Sequence, residues 1–581
     1  MTVLLEATFP NALDALVDRL SGPAWAGALV EAWVFEDFAA RHAAEVALAT
    51  AGITARIRSA YKPLLHAFLD EFDLAGVTAI DIATPSHLAG SARRFALEAY
   101  PLAGLVKVPV QFSTGTALLD YDVTLRHPEG DRHHTVFAPN SLRANGTLSS
   151  CGWLRITRAG ARFEDRALAT EFQSVFDDAM SAIAAHPWPA TKPIFDTLEI
   201  TVETAGIERR IPWHDECVST REALHEDFYF SLLEFFQAHA GLPPGDRTLQ
   251  PGQIIPDIRE SEGETTLRVA LLPAKIDAVQ VEARLALATA DRPLRTGEIA
   301  AEMAALGGAP FTVASTQGRQ ILGTYFAGTG RGFLLSGGQH ANETSGVVGA
   351  LRAAHDLKAV PNINFALIAQ ENVDGYALHQ RLIKTAPHHM HHAARYTALG
   401  DDIESRTKPP LRESRTTAGL LEREAREHAF KLTNAGLHLN LHGYPAHEWT
   451  RPHAGYLPRG FELWSIPKGF FLILRHHPGH GAKARPFLEA LTAQVILTPG
   501  LRAFNESQLA VWAAHAGEVP FPVINAIPCM ITESDRATVP FTLITEYPDE
   551  TIYDAPFQLA HETQYRTVLA AVALYRAGML D

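Results

Sequence analysis

Gly332-Phe-Leu-Leu-Ser-Gly-Gly-Gln-His-Ala-Asn-Glu-Thr-Ser-Gly346 is an apolar run, a glycine pair, a polar turn and then the start of a helical pattern. The run has the β character of a buried strand, and the glycines permit a tight strand-to-helix turn. His340 and Glu343 sit three residues apart in that turn. The spacing can aim both side chains at one ion, and imidazole nitrogen with carboxylate oxygen suits zinc. The pair alone is a common coincidence, and a capping Glu343 beside a surface histidine is the bland alternative. About a hundred residues on, Leu437-His-Leu-Asn-Leu-His442-Gly-Tyr444 is an alternating run that ends in a histidine, where α/β enzymes place functional groups. His442 is the natural third ligand, with His438 on the same face of the strand. Two histidines and a glutamate leave one position open for water, as catalytic zinc requires.

Outward from these motifs, Thr296 to Leu306 predicts a helix, Arg319 to Phe326 and Gly469 to Leu474 predict strands, and helical patterns follow residues 345 and 415. Alternating strands and helices predict an α/β domain over 291–581 with a mixed sheet flanked by helices. The first 290 residues read as α+β, divided into an N-terminal region, 1–195, and a second segment or connecting subdomain, 196–290. Their helical stretches include Ala39 to Ala51 and Ser219 to Gln237, the latter with Thr220 as its cap. Their strands include Thr197 to Glu203 and Leu267 to Leu272. The Pro/Gly-punctuated segments Leu242 to Asp246 and Pro251 to Pro256 read as loop. This half could cover the cleft, limit substrate length or mediate oligomerisation.

The 581-residue chain carries a formal charge of −15, which disfavours a phosphate-binding surface, so no nucleic-acid partner is expected. Cys151, Cys217 and Cys529 are far apart and form no C-x-x-C pair, which argues against a disulfide framework or thiolate zinc site and fits a reducing cytoplasm. No secretory signal is read at Met1, and no apolar run approaches the roughly 18–20 residues that cross a bilayer, so no membrane partner is expected. The G-x-S-x-G elbow of serine hydrolases and the phosphate-loop pattern are both missing. His388-His-Met-His-His392 reads as a loop whose charge responds near pH 6 to 7 rather than as a metal tract. Trp213 to Cys217 and His225 to Tyr229 read as helix-start and surface residues.

The motifs in this order resemble the zinc carboxypeptidase superfamily over 296–581. His340-Ala-Asn-Glu343 is similar to the H-G-N-E of its succinylglutamate desuccinylase and aspartoacylase branch. Asn372-Val-Asp-Gly375 resembles its N-P-D-G turn, and Arg395 to Ser405 aligns without gaps on its R-x-N-x-x-G-x-D-L-N-R segment. The resemblance implies one zinc ion held by His340, Glu343 and His442. It also implies an oxyanion role for Arg395 and an orienting role for Asp402 behind His340. The Asn-Arg pair that grips a peptide's C-terminal carboxylate in the family is replaced by Glu404-Ser405. An acidic Glu404 would repel an α-carboxylate and prefer an amine, guanidinium or amide, unless it pairs with a nearby arginine such as Arg406. Asn342, Tyr444, Glu404 and Ser405 are the expected substrate-binding residues. Two late strands, Pro528 to Glu533 and Pro540 to Glu546, each end in a candidate base. Glu546 is preferred for its following Tyr-Pro-Asp-Glu and terminal helix, with Glu533 as the alternative.

The implied activity is hydrolysis of an amide bond in a peptide or small N-acylated amino acid by a zinc metallopeptidase or amidohydrolase of the carboxypeptidase type. A homo-oligomer is compatible with the sequence. The alternative is a catalytically silent, metal-containing binding protein of the same fold.

Overall fold

The computed structural model describes residues 1–89, 93–143, 146, 148–243, 245–246, 248–275, 282–404, 421–446, 469–534 and 537–581. The chain is a mixed α/β protein whose largest sheet lies in the C-terminal half. Among the described residues this sheet has nine strands. Their order is Ala309–Ala314, Gln320–Phe326, Asn364–Ile368, Gly332–Gly337, Leu437–Pro445, Phe541–Glu550, Phe471–His476, Ile527–Glu533 and Val523–Ile524. Gly332–Gly337 runs parallel to both Asn364–Ile368 and Leu437–Pro445, and the latter runs parallel to Phe541–Glu550. Phe471–His476 is antiparallel to Phe541–Glu550.

Both faces of the central strands are covered, which is why their sequences are almost continuously apolar. Phe333, Leu335, Leu437, Leu439 and Leu441 pack with Val347, Leu351, Phe557 and Val568, from the helices Ser345–Leu357 and Asp554–Arg576. The alternating residues face the other way. Leu334, Ala366 and Ile368 pack with Ala425, Ala429 and Phe430 of the helix Leu421–Thr433. Ser336, His438, Asn440 and His442 share this second face, because side chains alternate along a strand.

In the N-terminal half, Thr2–Phe9 joins Thr265–Leu272, Thr197–Thr204 and Gln253–Glu260 in one four-stranded sheet. Two further four-stranded sheets are built from Ala161–Leu168, Gly152–Arg158, Leu29–Val34 and Thr54–Ser59, and from Val110–Thr114, Ala79–Thr84, Asp120–Arg126 and Arg132–Phe137. Of the expected loop at Pro251 to Pro256, only Pro251 and Gly252 lie outside regular structure, and Gln253 opens the strand Gln253–Glu260. It lies at the edge of its sheet, the position where a proline such as Pro256 costs no ladder hydrogen bond on the outer side. The helix Thr220–His239 is capped by Ser219, whose hydroxyl accepts from the Glu222 amide, one residue before the expected cap.

The core of this half extends into the C-terminal half. Leu224, Phe228 and Tyr229 belong to one apolar cluster with Leu378, Leu382, Ala393, Ala394 and Tyr396. The rings of Tyr229 and Tyr396 stack at 6.1 Å, and the Gly252 amide donates to the Leu399 carbonyl at 3.0 Å. His225 and Glu226 are therefore buried at a junction, not on the surface as their sequence suggested. Glu226 meets His392 at 2.5 Å. Burial holds His391 and His392 well below the ordinary histidine range, so these two are not part of the solvated pH-responsive loop that the composition of the run suggests. No described helix is long and apolar enough to cross a membrane.

Candidate metal centre

The turn after Gly332–Gly337 forms as its sequence implies. Gly338 adopts a φ of +63°, and a Cβ there would lie 2.5 Å from the Gln370 side chain, so only glycine fits without displacement. The Glu343 amide then donates to the His340 carbonyl at 3.2 Å and closes the turn. His340 and Glu343 thereby converge, with Nδ1 to Oε1 at 2.7 Å. His442 arrives from the neighbouring parallel strand, its Nδ1 lying 2.9 Å from Glu343 Oε2 and 3.1 Å from His340 Nδ1.

These three residues form the one group of potential metal ligands found among the described residues. All are buried. The edge of a tetrahedron with 2.0–2.1 Å bonds is about 3.3 Å, so ligand atoms separated by 2.7 to 3.1 Å need to open only slightly to accept an ion. A neutral pair of imidazoles gains at most one hydrogen bond from facing nitrogen to nitrogen, whereas a cation between them satisfies both lone pairs. The donor set of two imidazoles and a carboxylate suits zinc.

The surrounding charges are strongly coupled. Burial alone would lift the Glu343 carboxyl, but His340, Arg395 and His442 hold it well below the usual carboxylate range. Burial and Arg395 depress the His340 imidazole, yet Glu343 and Asp402 outweigh them and its pKa is raised. Arg395, in the short helix His392–Arg395, donates through Nη1 to Glu343 Oε1 at 2.6 Å. Its backbone is held by Asn372. That side chain donates to the carbonyls of Arg395 and Tyr396 while its oxygen caps the helix Val373–Leu382 through the Gly375 amide. The N-x-D-G turn thus anchors the arginine. Asp402 lies 3.4 Å from His340 Nε2 and accepts from Gln339 at 3.2 Å.

Sheet register separates the two late glutamates. Glu546 pairs directly with His442 and with Phe471, so its side chain rises from the same face as His442. Glu533 pairs with His476, whose neighbour Arg475 shares the face of Phe471, so Glu533 lies on the opposite face, and it is exposed. Glu546 is buried, and burial followed by the charge of Glu343 pushes its carboxyl well above the ordinary range. His438 is not in the ligand group. It shares a hydrogen bond of 2.8 Å with Ser336 deeper on the same face.

Three other expectations come out differently. Glu404 does not present a free carboxylate: it accepts from Arg426 at 3.0 Å and from Arg475 at 2.7 Å. Burial would raise it, but the two arginines hold it below its usual value. Its neighbours Ser405 and Arg406 lie outside the described residues. Tyr444 is buried, its hydroxyl donating to the Gly469 carbonyl at 2.6 Å and accepting from the Gly469 amide. Asn342 is turned to Glu550, donating at 2.7 Å.

Several groups in the site escaped sequence reading. Asp549 accepts from the Ser345 amide at the start of the helix Ser345–Leu357, and burial pushes its carboxyl up to about 8. Glu550, whose carboxyl burial and then Glu343 also push up, stands 3.8 Å from Arg395. Gln339 accepts from both Arg426 and Asn440 while holding Asp402, and Arg426 is further paired with Glu371. The Asp549–Glu550 pair was visible as the acidic end of Phe541–Glu550. Nothing local marks Arg426, which depends on partners 55 and 87 residues away.

No protein-family model and no curated protein sequence matches the chain. Among solved structures it is similar to a metallo-carboxypeptidase from Pseudomonas aeruginosa, at 11% identity over 55% of this chain and 74% of that one, with a TM-score of 0.32. It is also similar to a succinylglutamate desuccinylase/aspartoacylase from Rhodobacter sphaeroides (13% identity, 47% and 65% covered, TM-score 0.26). A murein-tripeptide amidase from Escherichia coli matches at 14% identity over 48% of this chain and 95% of that one, with a TM-score of 0.25. The chemistry of the site rests on its own side chains and not on these likenesses.

Proposed function

We propose that the protein is a zinc-dependent hydrolase of an amide bond in a peptide or a small N-acylated amino acid. The observation that carries this reading is the placement of Glu546 in register with His442, on the same sheet face as a buried His-Glu-His group. His340, Glu343 and His442 would hold the ion. When bound, it supplies a Lewis acid and brings the pKa of a coordinated water to about 7.

The chain's own residues supply the rest. Glu546 takes the proton from the attacking water and passes it to the departing amine, because a carboxyl in a buried site holds a proton far more readily than one in solvent. Arg395 presents a permanent positive charge to the oxygen that becomes anionic, and its partly dry surroundings increase the value of that charge. Asp402 fixes the ring orientation of His340. Glu404 is paired with both Arg426 and Arg475, which balance its charge, so it does not single out a substrate amine.

The test is turnover of a panel of peptides and N-acylated amino acids by zinc-reconstituted wild type and Glu546→Gln. Hydrolysis by wild type, abolished in the variant with metal retained, supports the reading. Ligand binding by both proteins without turnover in either would move the assignment to a silent binding protein.

A further inference from the structure

Resting on the hydrolase reading above, we infer that Arg475 is the anion-recognition residue of the substrate pocket and that the preferred substrates carry a carboxylate on an aliphatic stem, as a glutamyl residue does. The argument starts from register. Phe471 pairs with Glu546, so Phe471, Ile473 and Arg475 rise from the same face as Glu546, Ile544 and Thr542. Arg475 stands four residues along its strand from the Glu546 row, about 13 Å at ~3.3 Å per residue. Ile473 and Ile544 pair with each other and form an apolar strip between the two rows.

The guanidinium is tied back toward the metal centre. Its Nη1 donates to Glu404 at 2.7 Å, the Glu404 amide donates to Asp402 at 2.9 Å, and Asp402 faces His340.

The hydrogen-bonding capacity around Arg475 is one-sided. Glu404 has one oxygen on Arg426 and the other on Arg475. Arg426 is committed through all three nitrogens, to Glu371, Glu404 and Gln339. Arg475 makes one hydrogen bond among the described residues and is 33% exposed, leaving Nε and Nη2 to a ligand. The charge of Glu404 is already shared by two guanidiniums while Arg475 keeps donors open, so an incoming acceptor is favoured, and a guanidinium edge fits a carboxylate through two parallel bonds. Apolar strip followed by cationic end matches a methylene stem followed by a carboxylate.

The test uses the full-length zinc-loaded chain, as wild type, Arg475→Met, Arg475→Lys and Glu404→Gln. Binding of N-acetyl-L-glutamate and N-acetyl-L-glutamine is measured by calorimetry, and kcat/KM is measured on N-acetyl-alanyl dipeptides ending in Glu, Gln or Leu. The expected result is a preference of tenfold or more for the acidic member in both assays. Arg475→Met should lose it, Arg475→Lys should keep part of it, and Glu404→Gln should increase it, since Arg475 then loses its competing carboxylate. Thermal unfolding midpoints show that the variants are folded. An acidic preference in binding without any hydrolysis would support the anion subsite while removing the hydrolase reading. Hydrolysis with no acidic preference, or a preference that survives in folded Arg475→Met, would overturn the inference and leave the hydrolase reading standing.

Discussion

Replacing Glu546 by Gln is the sharpest perturbation of the proposed chemistry, because it changes one atom and leaves the shape of the site. Glu546 Oε2 has no hydrogen-bond partner among the described residues, and the Glu343 and Asp549 carboxylates destabilise its charged form. Removing the ionisable group therefore breaks no hydrogen bond at that oxygen and relieves repulsion, so stability should hold or rise. What is lost is proton transfer, worth about 10²–10⁴ in rate for a positioned acid or base. The expected outcome is a kcat lower by that factor, KM within about threefold, and an unchanged metal content. Glu533→Gln is the matched control: it lies on the opposite sheet face and should stay within about twofold of wild type. Steady-state kinetics on the best substrate of the panel, with elemental analysis of the same samples, decides it. A Glu546→Gln enzyme that keeps a tenth or more of its activity, or a Glu533→Gln enzyme that loses most of it, would refute the assignment.

Arg395→Ala should depress kcat by roughly 100-fold or more, with Arg395→Lys recovering part of it, as measured by the same kinetics. Asp402→Asn should weaken metal affinity by about 10–100-fold without removing a ligand, which competition with a chelator reads out. In the N-terminal half, burial and then the charge of Glu171 push the Glu36 carboxyl up to about 8. A carboxyl with a raised folded-state pKa contributes stability at low pH that is lost as pH rises toward 8, on the order of 4 kcal/mol here. Glu36→Gln should therefore raise the thermal unfolding midpoint at pH 8 and change it little near pH 4.5. Residues 291–581 expressed alone should be unstable or aggregated on size exclusion, because Leu378, Leu382, Ala393, Ala394 and Tyr396 share a core with the N-terminal half. A monodisperse, folded fragment would contradict that.

The strand, turn and helix that carry His340 and Glu343 were legible in the sequence because their information is local. Strand, glycine pair, H-x-x-E and helix follow one another within fifteen residues, and His442 closes a strand whose alternation is plain. The choice between Glu533 and Glu546 was not legible, since both end an apolar run after a proline and only the strand neighbour distinguishes their faces. Glu404 was misread for a related reason: its partners Arg426 and Arg475 lie 22 and 71 residues away, and a charge is interpretable only with its counter-charge. His225 and His391 look like surface histidines by composition, but they are buried where the two halves meet and their ring centroids lie 5.5 Å apart. The strand Gln253–Glu260 was hidden by Pro251, Gly252 and Pro256, which an edge position tolerates.

Metal content tests the central claim most directly. Elemental analysis of purified wild type beside His340→Ala and His442→Ala, each after incubation with zinc and removal of excess, should give one ion per wild-type chain and none in either variant. A wild type that stays metal-free after reconstitution, or variants that retain a full equivalent, would contradict the account.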